Sequence, residues 1–266
     1  MLSRHSLLQK AFRKKDRKMS KTAHSKTYIQ QALAHPDDHQ SSGKYLSDSV
    51  YGALDGMVTT FAIVAGVVGA DLSLNVILIL GLANLFADGF SMAAGSYLAI
   101  KSERDYHREE YNREKWEIEN YPEGEIEEIR QIYRAKGFTG KDLDQAVKII
   151  TSNKEQWLKT MMVEELHIIQ ENKSPWIVAI STFLAFLICG AIPLLAYAAL
   201  YFFPTLQIST FTISIIATAC TIFIVGSLRS IFIAKHWLPA GLEMLLIGGS
   251  ASTVAYLVGY LLRGLA

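Results

Sequence analysis

The sequence predicts an all-α, polytopic membrane protein: five transmembrane helices, with a charged helical segment inserted between the second and the third. Three observations carry that expectation. Half of the 266 residues are hydrophobic and they fall in blocks, which argues against an ordinary soluble domain. Each block is close to the roughly 20 apolar residues that a helix needs to cross a bilayer. Lysine and arginine are concentrated on alternate connecting segments, the pattern that orients membrane helices.

The first block, Val50–Ala70 (VYGALDGMVTTFAIVAGVVGA), carries one charge, Asp55. A charge at the centre of a spanning helix costs about 2.5–3.5 kcal/mol on insertion scales, so such a residue faces a bundle interior or a wet path and is a functional candidate by default. The plainer alternative is a capping acid near the membrane edge, since Asp55 lies only about 7.5 Å along the axis from Val50 at the α-helical rise. After a turn at Asp71–Asn75, the second span covers about Val76–Ile100 and contains Asn84, Asp88 and Met92. Ser174-Pro175 opens the third span, Trp176 to about Phe202; serine suits a cap and proline the first helical position. The fourth span is about Ile208–Leu228. The fifth is about Pro239–Leu262, with Glu243 near its start, either at an entrance or as a solvated interfacial acid. Small residues recur at four-residue spacing in Gly52/Gly56, Ser91/Gly95 and Gly248/Ser252; such faces let helix backbones approach closely and imply a tight bundle.

Ten basic residues lie in 1–46, 13 in 101–173 and two in 229–237, with none in 71–75 or 203–207. The N-terminus and residues 101–173 are therefore expected in the cytoplasm and the C-terminus on the opposite side, where Arg263 is the exception. This gives four segments: a basic cytoplasmic tail (1–46), helices 1–2 (47–100), the inserted segment (101–173) and helices 3–5 (174–266). The tail reads as a cytoplasmic anchor that sets orientation, not as a nucleic-acid binder, and its His35, Asp37, Asp38 and His39 as a solvated group. Residues 1–44 hold no apolar stretch of the signal-peptide kind, so the spans are expected to direct insertion themselves. Cys189 and Cys220 sit inside apolar runs and offer neither a disulfide framework nor a CxxC metal knuckle.

Residues 101–173 hold 17 acidic against 13 basic residues. They read as four helices: one over about 101–119 continuing the second span, one opened by Pro122 and stopped at Gly137, one capped at Thr139-x-x-Asp142, and one opened by a capping box at Ser152-x-x-Glu155. The first places Glu103, Glu110, Glu114 and Glu117 on one stripe; the second sets Glu125 and Glu128 a turn apart. Taken singly, each is most simply a solvated acid. Together with Met161-Met162-x-x-Glu165 on the last helix, and with an acid and a thioether in the spans, they read as a metal-binding set. Carboxylates suit hard divalent ions, and thioether sulfur shifts preference toward softer ones. Glu164-x-x-His167 matches one arm of a di-iron carboxylate site, which needs two such arms and two further glutamates.

These residues resemble the vacuolar iron transporter family, which includes plant vacuolar iron transporters and the yeast vacuolar iron/manganese transporter. The resemblance is carried by GALDGMVTTFAIVAGVVGA, ADGFSMAAGSYLAIKSERD and WLKTMMVEEL, and spans about residues 45–266. It implies a five-span homodimer with its pathway at the dimer interface, exporting Fe2+ (or Mn2+) from the cytosol in exchange for protons. It also implies a cytoplasmic helical metal-binding domain, no prosthetic group and no nucleic-acid partner. By motif, Asp55 and Met92 would line the path, while Glu114, Glu117, Glu125, Glu128, Met161, Met162 and Glu165 would gather metal. Asn84 falls where plant members carry a glutamate; Asp88, one turn on, either supplies the missing carboxylate or is structural. The membrane would be vacuolar in a plant or fungus, and the inner or cell membrane in a bacterium. The competing readings are a membrane-anchored di-iron oxidase using Glu164 and His167, and a metal sensor or buffer without transport.

Overall fold

The computed structural model describes residues 4–34, 45–169, 173–202, 209–233 and 236–265, and among these every regular element is helical. In chain order they are α1 (Arg4–Lys14), α2 (Arg17–Ala23), α3 (Lys26–Ala34), α4 (Leu46–Gly69), α5 (Leu74–Asn120), α6 (Pro122–Ala135), α7 (Gly140–Thr151), α8 (Lys154–Glu164), α9 (Pro175–Gly190), α10 (Ile192–Phe202), α11 (Thr210–Ile233) and α12 (Trp237–Leu262), closed by a 3-10 turn at Arg263–Leu265. Two compact units emerge. One joins residues 1–96 to 176–266, and the other is residues 97–175.

Among the described residues, four helices are long and apolar enough to cross a membrane: α4, α5, α11 and α12. The expected third span departs from a straight rod. It is the pair α9 and α10, bent by 49°, and the count reaches five if the pair is one crossing. Pro193 supplies the cause: it has no N–H for the carbonyl of Cys189, and its ring crowds that turn. The bend presses toward α4, where a Cβ on Gly190 would lie 2.8 Å from the Gly56 carbonyl oxygen.

α4 packs against α10, α11 and α12. Its Gly52 and Gly56 meet α9 so closely that a Cβ would fall 2.6 Å from the Thr182 oxygen and 2.5 Å from the Phe186 oxygen. Gly248 similarly abuts Ile222, whereas Gly95 has nothing within 4 Å, so the Ser91/Gly95 pair does not pack inside the chain. Phe61, Val64 and Val67 of α4 bury themselves with Ile77, Leu194 and Tyr197; Ala53 and Met57 do so with Ile222 and Met244. Ile79, Phe90, Leu246 and Leu261 remain exposed, as befits helices whose solvent is lipid. Both cysteines are free thiols.

The N-terminal segment is more ordered than a polar tail. α1, α2 and α3 pack on one another, with Ala11 and Ala23 buried, and Asp16 caps α2 by accepting from the amides of Lys18 and Met19. The His35, Asp37, Asp38 and His39 group lies outside the described residues.

The second unit takes the later part of α5 with α6, α7 and α8. Pro122 occupies the start of α6, and Gly137 ends it at φ +96°. Thr139 is the cap of α7, though its side chain makes no capping bond. The cap of α8 is Asn153 in place of the expected Ser152: the Asn153 side chain accepts from the amides of Glu155 and Gln156. The Ser152 hydroxyl instead donates back to the Ile149 carbonyl at 2.6 Å. One core unites the unit: Ile118, Ile129, Leu143, Val147, Trp157, Leu158, Met161, Met162 and Ile168.

Candidate functional site

Three acids of the second unit converge. Glu114 comes from α5, Glu125 from α6 after the sharp corner at Tyr121-Pro122, and Glu165 from the residue that caps the C-terminus of α8. One carboxylate oxygen from each lies within 4.8 Å of the others. Glu114 is 1% exposed and Glu125 6%, while Glu165 stays open to solvent. Glu114 Oε1 and Glu125 Oε2 are buried without a hydrogen-bond partner. An orphaned buried carboxylate oxygen is expensive unless a proton or a cation satisfies it.

The electrostatics follow from that packing. Burial, the hydrogen bond shared with Glu125, and the charges of Glu125, Glu165 and Glu117 push the Glu114 carboxyl up to about 9. Burial and the charges of Glu128, Glu125 and Glu117 push Glu165 up to about 7, with Arg113 opposing. Glu125 is raised as well, chiefly by burial, but the bond to Glu114 pulls it down. Glu114 and Glu125 are thus both pushed toward the neutral form, Glu114 the more strongly. At neutral pH the metal-free trio keeps at least one proton that a divalent ion would have to displace.

The remaining expected ligands divide. Glu117 and Glu128 form an outer ring, close enough to act on the trio through their charge. Glu110 is paired with Arg113 at 2.6 Å, and Glu103 is exposed; neither joins the cluster among the described residues. Met161 and Met162 are buried within the hydrophobic core of the unit, so packing already accounts for both. Glu164 pairs with Lys136, and His167 lies beyond the end of α8 at φ +56°. Glu164 and His167 therefore do not share a helical turn, as the di-iron arm requires.

In the first unit, Asp55 of α4 and Asp88 of α5 lie close enough for their charges to interact. Asn84, Asp88 and Met92 recur every four residues on α5, which puts them on one face. All four are partly buried, and Asn84 Nδ2 is a buried donor without a partner. Glu243 pairs with Arg229 at 3.4 Å, tying α12 to α11. Asp71 and Arg263 form an ion pair between the turn after α4 and the end of α12.

Sequence spacing found the acids but not which three would meet. The selection depends on the corner at Tyr121-Pro122 and on α8 ending at Glu164, and the second has no strong signal because Glu165 and Leu166 are themselves good helix formers.

Comparison with known proteins extends this. Residues 46–260 match the model of the VIT family. A vacuolar iron transporter of Toxoplasma gondii is 36% identical over 95% of this chain and 86% of its own. One of Plasmodium falciparum is 36% identical over 96% and 95%. Vacuolar iron transporter 1 of Arabidopsis thaliana is 32% identical over 84% and 88%.

Proposed function

We propose, proceeding from the fact that this chain belongs to the vacuolar iron transporter family, that it carries Fe2+, with Mn2+ as a second cargo, out of the cytosol in exchange for protons. It is a transporter and not an enzyme, and iron is its substrate. The receiving compartment is vacuole-like, after the names of its relatives.

The observation that carries this reading is the trio Glu114, Glu125 and Glu165, in which two buried carboxylate oxygens have no hydrogen-bond partner. Three converging carboxylates suit a hard or borderline divalent ion. In the cytoplasm, with Glu117 and Glu128 beside them, they concentrate the cation. Thioether sulfur from Met161 would join only by leaving the core it fills.

Asp55, Asp88 and Met92 form the transit site, with Asn84 beside them, and the pathway is completed at the interface of a homodimer. A carboxylate in a partly dehydrated site holds a proton or a metal ion but not both well, since desolvation favours the first and a nearby cation the second. That competition is the physical basis of exchange. Asp88 takes the place that Asn84 leaves without a charge. Glu243, held by Arg229, keeps α11 and α12 together near the cytoplasmic face and does not ligate.

The test is radioactive iron uptake by the purified protein in liposomes. Wild type is expected to fill the vesicles and Asp55→Asn to leave them at the protein-free level. Binding without uptake in the wild type would favour a sensor or buffer.

A further inference from the structure

We infer that the N-terminal helices α1–α3 form a peripheral membrane-docking element whose partner is an anionic lipid surface. Residues 1–34 hold nine lysines and arginines and one acid, Asp16, a balance of +8. That acid is already engaged, capping α2. Lys10, Lys14, Lys15, Arg17, Lys18, Lys21 and Lys26 are all exposed, and no ion pair among the described residues takes up any of them.

An apolar feature accompanies the charge. Phe12 is 78% exposed and sits in an open groove with Leu8, Ala11, Lys15 and Arg17. A water-exposed aromatic edged by cations is the chemistry of a helix that rests at the headgroup boundary, where basic side chains meet lipid phosphates and the aromatic ring enters the acyl region. Single-stranded nucleic acid fits less well. It asks for several stacking aromatics, and residues 1–34 hold only Phe12 and Tyr28.

The charges are also misplaced for the simpler task of orienting the first span. Orientation is read within about 15–20 residues of a span, whereas Arg4 to Lys21 lie at least 25 residues before Leu46 (46 − 21 = 25). Their distance is compatible with docking. Eleven residues, 35–45, connect α3 to α4, and at full extension they reach about 40 Å. The bilayer is therefore always at high effective concentration, and a modest intrinsic attraction suffices.

The inference rests on the proposed orientation only for which leaflet is met, so the test uses nanodiscs with the same lipids on both faces. A nitroxide is placed by F12C in full-length protein with Cys189 and Cys220 replaced by alanine. Its accessibility to oxygen and to a water-soluble nickel chelate is measured by power saturation. In discs of phosphatidylcholine with a third phosphatidylserine, the label is expected to be oxygen-accessible and shielded from nickel. In pure phosphatidylcholine, or with K14E/K15E/K18E, it is expected to return to water. A label that is wet in both lipids overturns the inference, as does one shielded equally in both and in the triple variant. Capture of a single-stranded RNA oligonucleotide by a chain whose label stays wet overturns it too, in favour of nucleic acid. Iron uptake by the same protein in liposomes is read in parallel. Uptake with a wet label sinks the docking alone, and docking without uptake sinks the transport reading alone.

Discussion

At Glu114 a buried acid is pushed up from its usual 4.5 to about 9, because burial and neighbouring charges favour its neutral form. The linkage sign follows. Between the two values the folded state keeps a proton that the unfolded chain has released, so this group's contribution is full below about pH 4.5 and is lost as pH rises through 9. Glu165, raised to about 7, adds to the loss in the first half of that window. Metal-free protein is therefore expected to melt at progressively lower temperature from pH 5 to pH 9, followed by the fluorescence of the buried Trp157. Glu114→Gln should flatten that profile and raise the melting temperature at pH 8 by a few degrees, while weakening Mn2+ binding at least tenfold. An unchanged profile in the variant would place the pH-sensitive group elsewhere. The same protons must leave when a cation enters, so Mn2+ binding at pH 7 should release one to two protons and strengthen about ten- to a hundredfold per pH unit. Calorimetry in buffers of different ionisation enthalpy checks this, and proton-neutral binding would contradict it.

At the scale of the elements, contact between α4 and its neighbours depends on missing side chains. A Cβ on Gly259 would stand 2.1 Å from the Gly66 carbonyl oxygen, and one on Gly249 would meet nothing within 4 Å. Gly259→Ala is accordingly expected to destabilise the protein by about 1–3 kcal/mol through overpacking, and Gly249→Ala to change almost nothing. Thermal unfolding of the two variants in detergent decides; equal melting temperatures would mean that the α4–α12 approach is not the constraint. This level was partly legible in the sequence. Gly52/Gly56 and Gly248/Ser252 announced close packing by spacing alone, and the structure packs both pairs inside the chain. Ser91/Gly95 has the same spacing, and its Gly95 meets nothing, because spacing does not say which side of a helix has a neighbour. The bend at Pro193 was legible in principle, since a proline inside an apolar run cannot donate its turn's hydrogen bond. Run length hid it, since α9 and α10 read together have the length of one span. The helices of residues 4–34 were obscured by charge: nine cations mask an apolar set as small as Leu7, Leu8 and Ala11.

At the scale of the molecule, the acids of the two units answer different needs. Glu114 and Glu125 are buried, and Glu165 beside them is open to solvent. Asp55 of α4 and Asp88 of α5 lie close enough for their charges to interact, in the spans where an uncompensated charge is costly. The sequence pointed to Asp55 directly, because it is the one charge in its block. The partnership with Asp88 was not decidable there. Only the fold says whether an acid 14 residues beyond Leu74, the start of α5, comes near Asp55. If Asp88 supplies the charge that Asn84 lacks, then Asp88→Asn should slow uptake at least tenfold and Asn84→Asp should not, in the same vesicle assay.

The central claim is exchange, so the most direct measurement follows both ions at once: Fe2+ entry and internal pH in vesicles carrying the purified protein and a trapped pH dye, at an imposed outward proton gradient. The account predicts that iron entry alkalinises the interior in proportion to the iron taken up, and that Asp55→Asn abolishes both signals together. Iron entry with no change of internal pH, or proton movement that persists in Asp55→Asn, would contradict it.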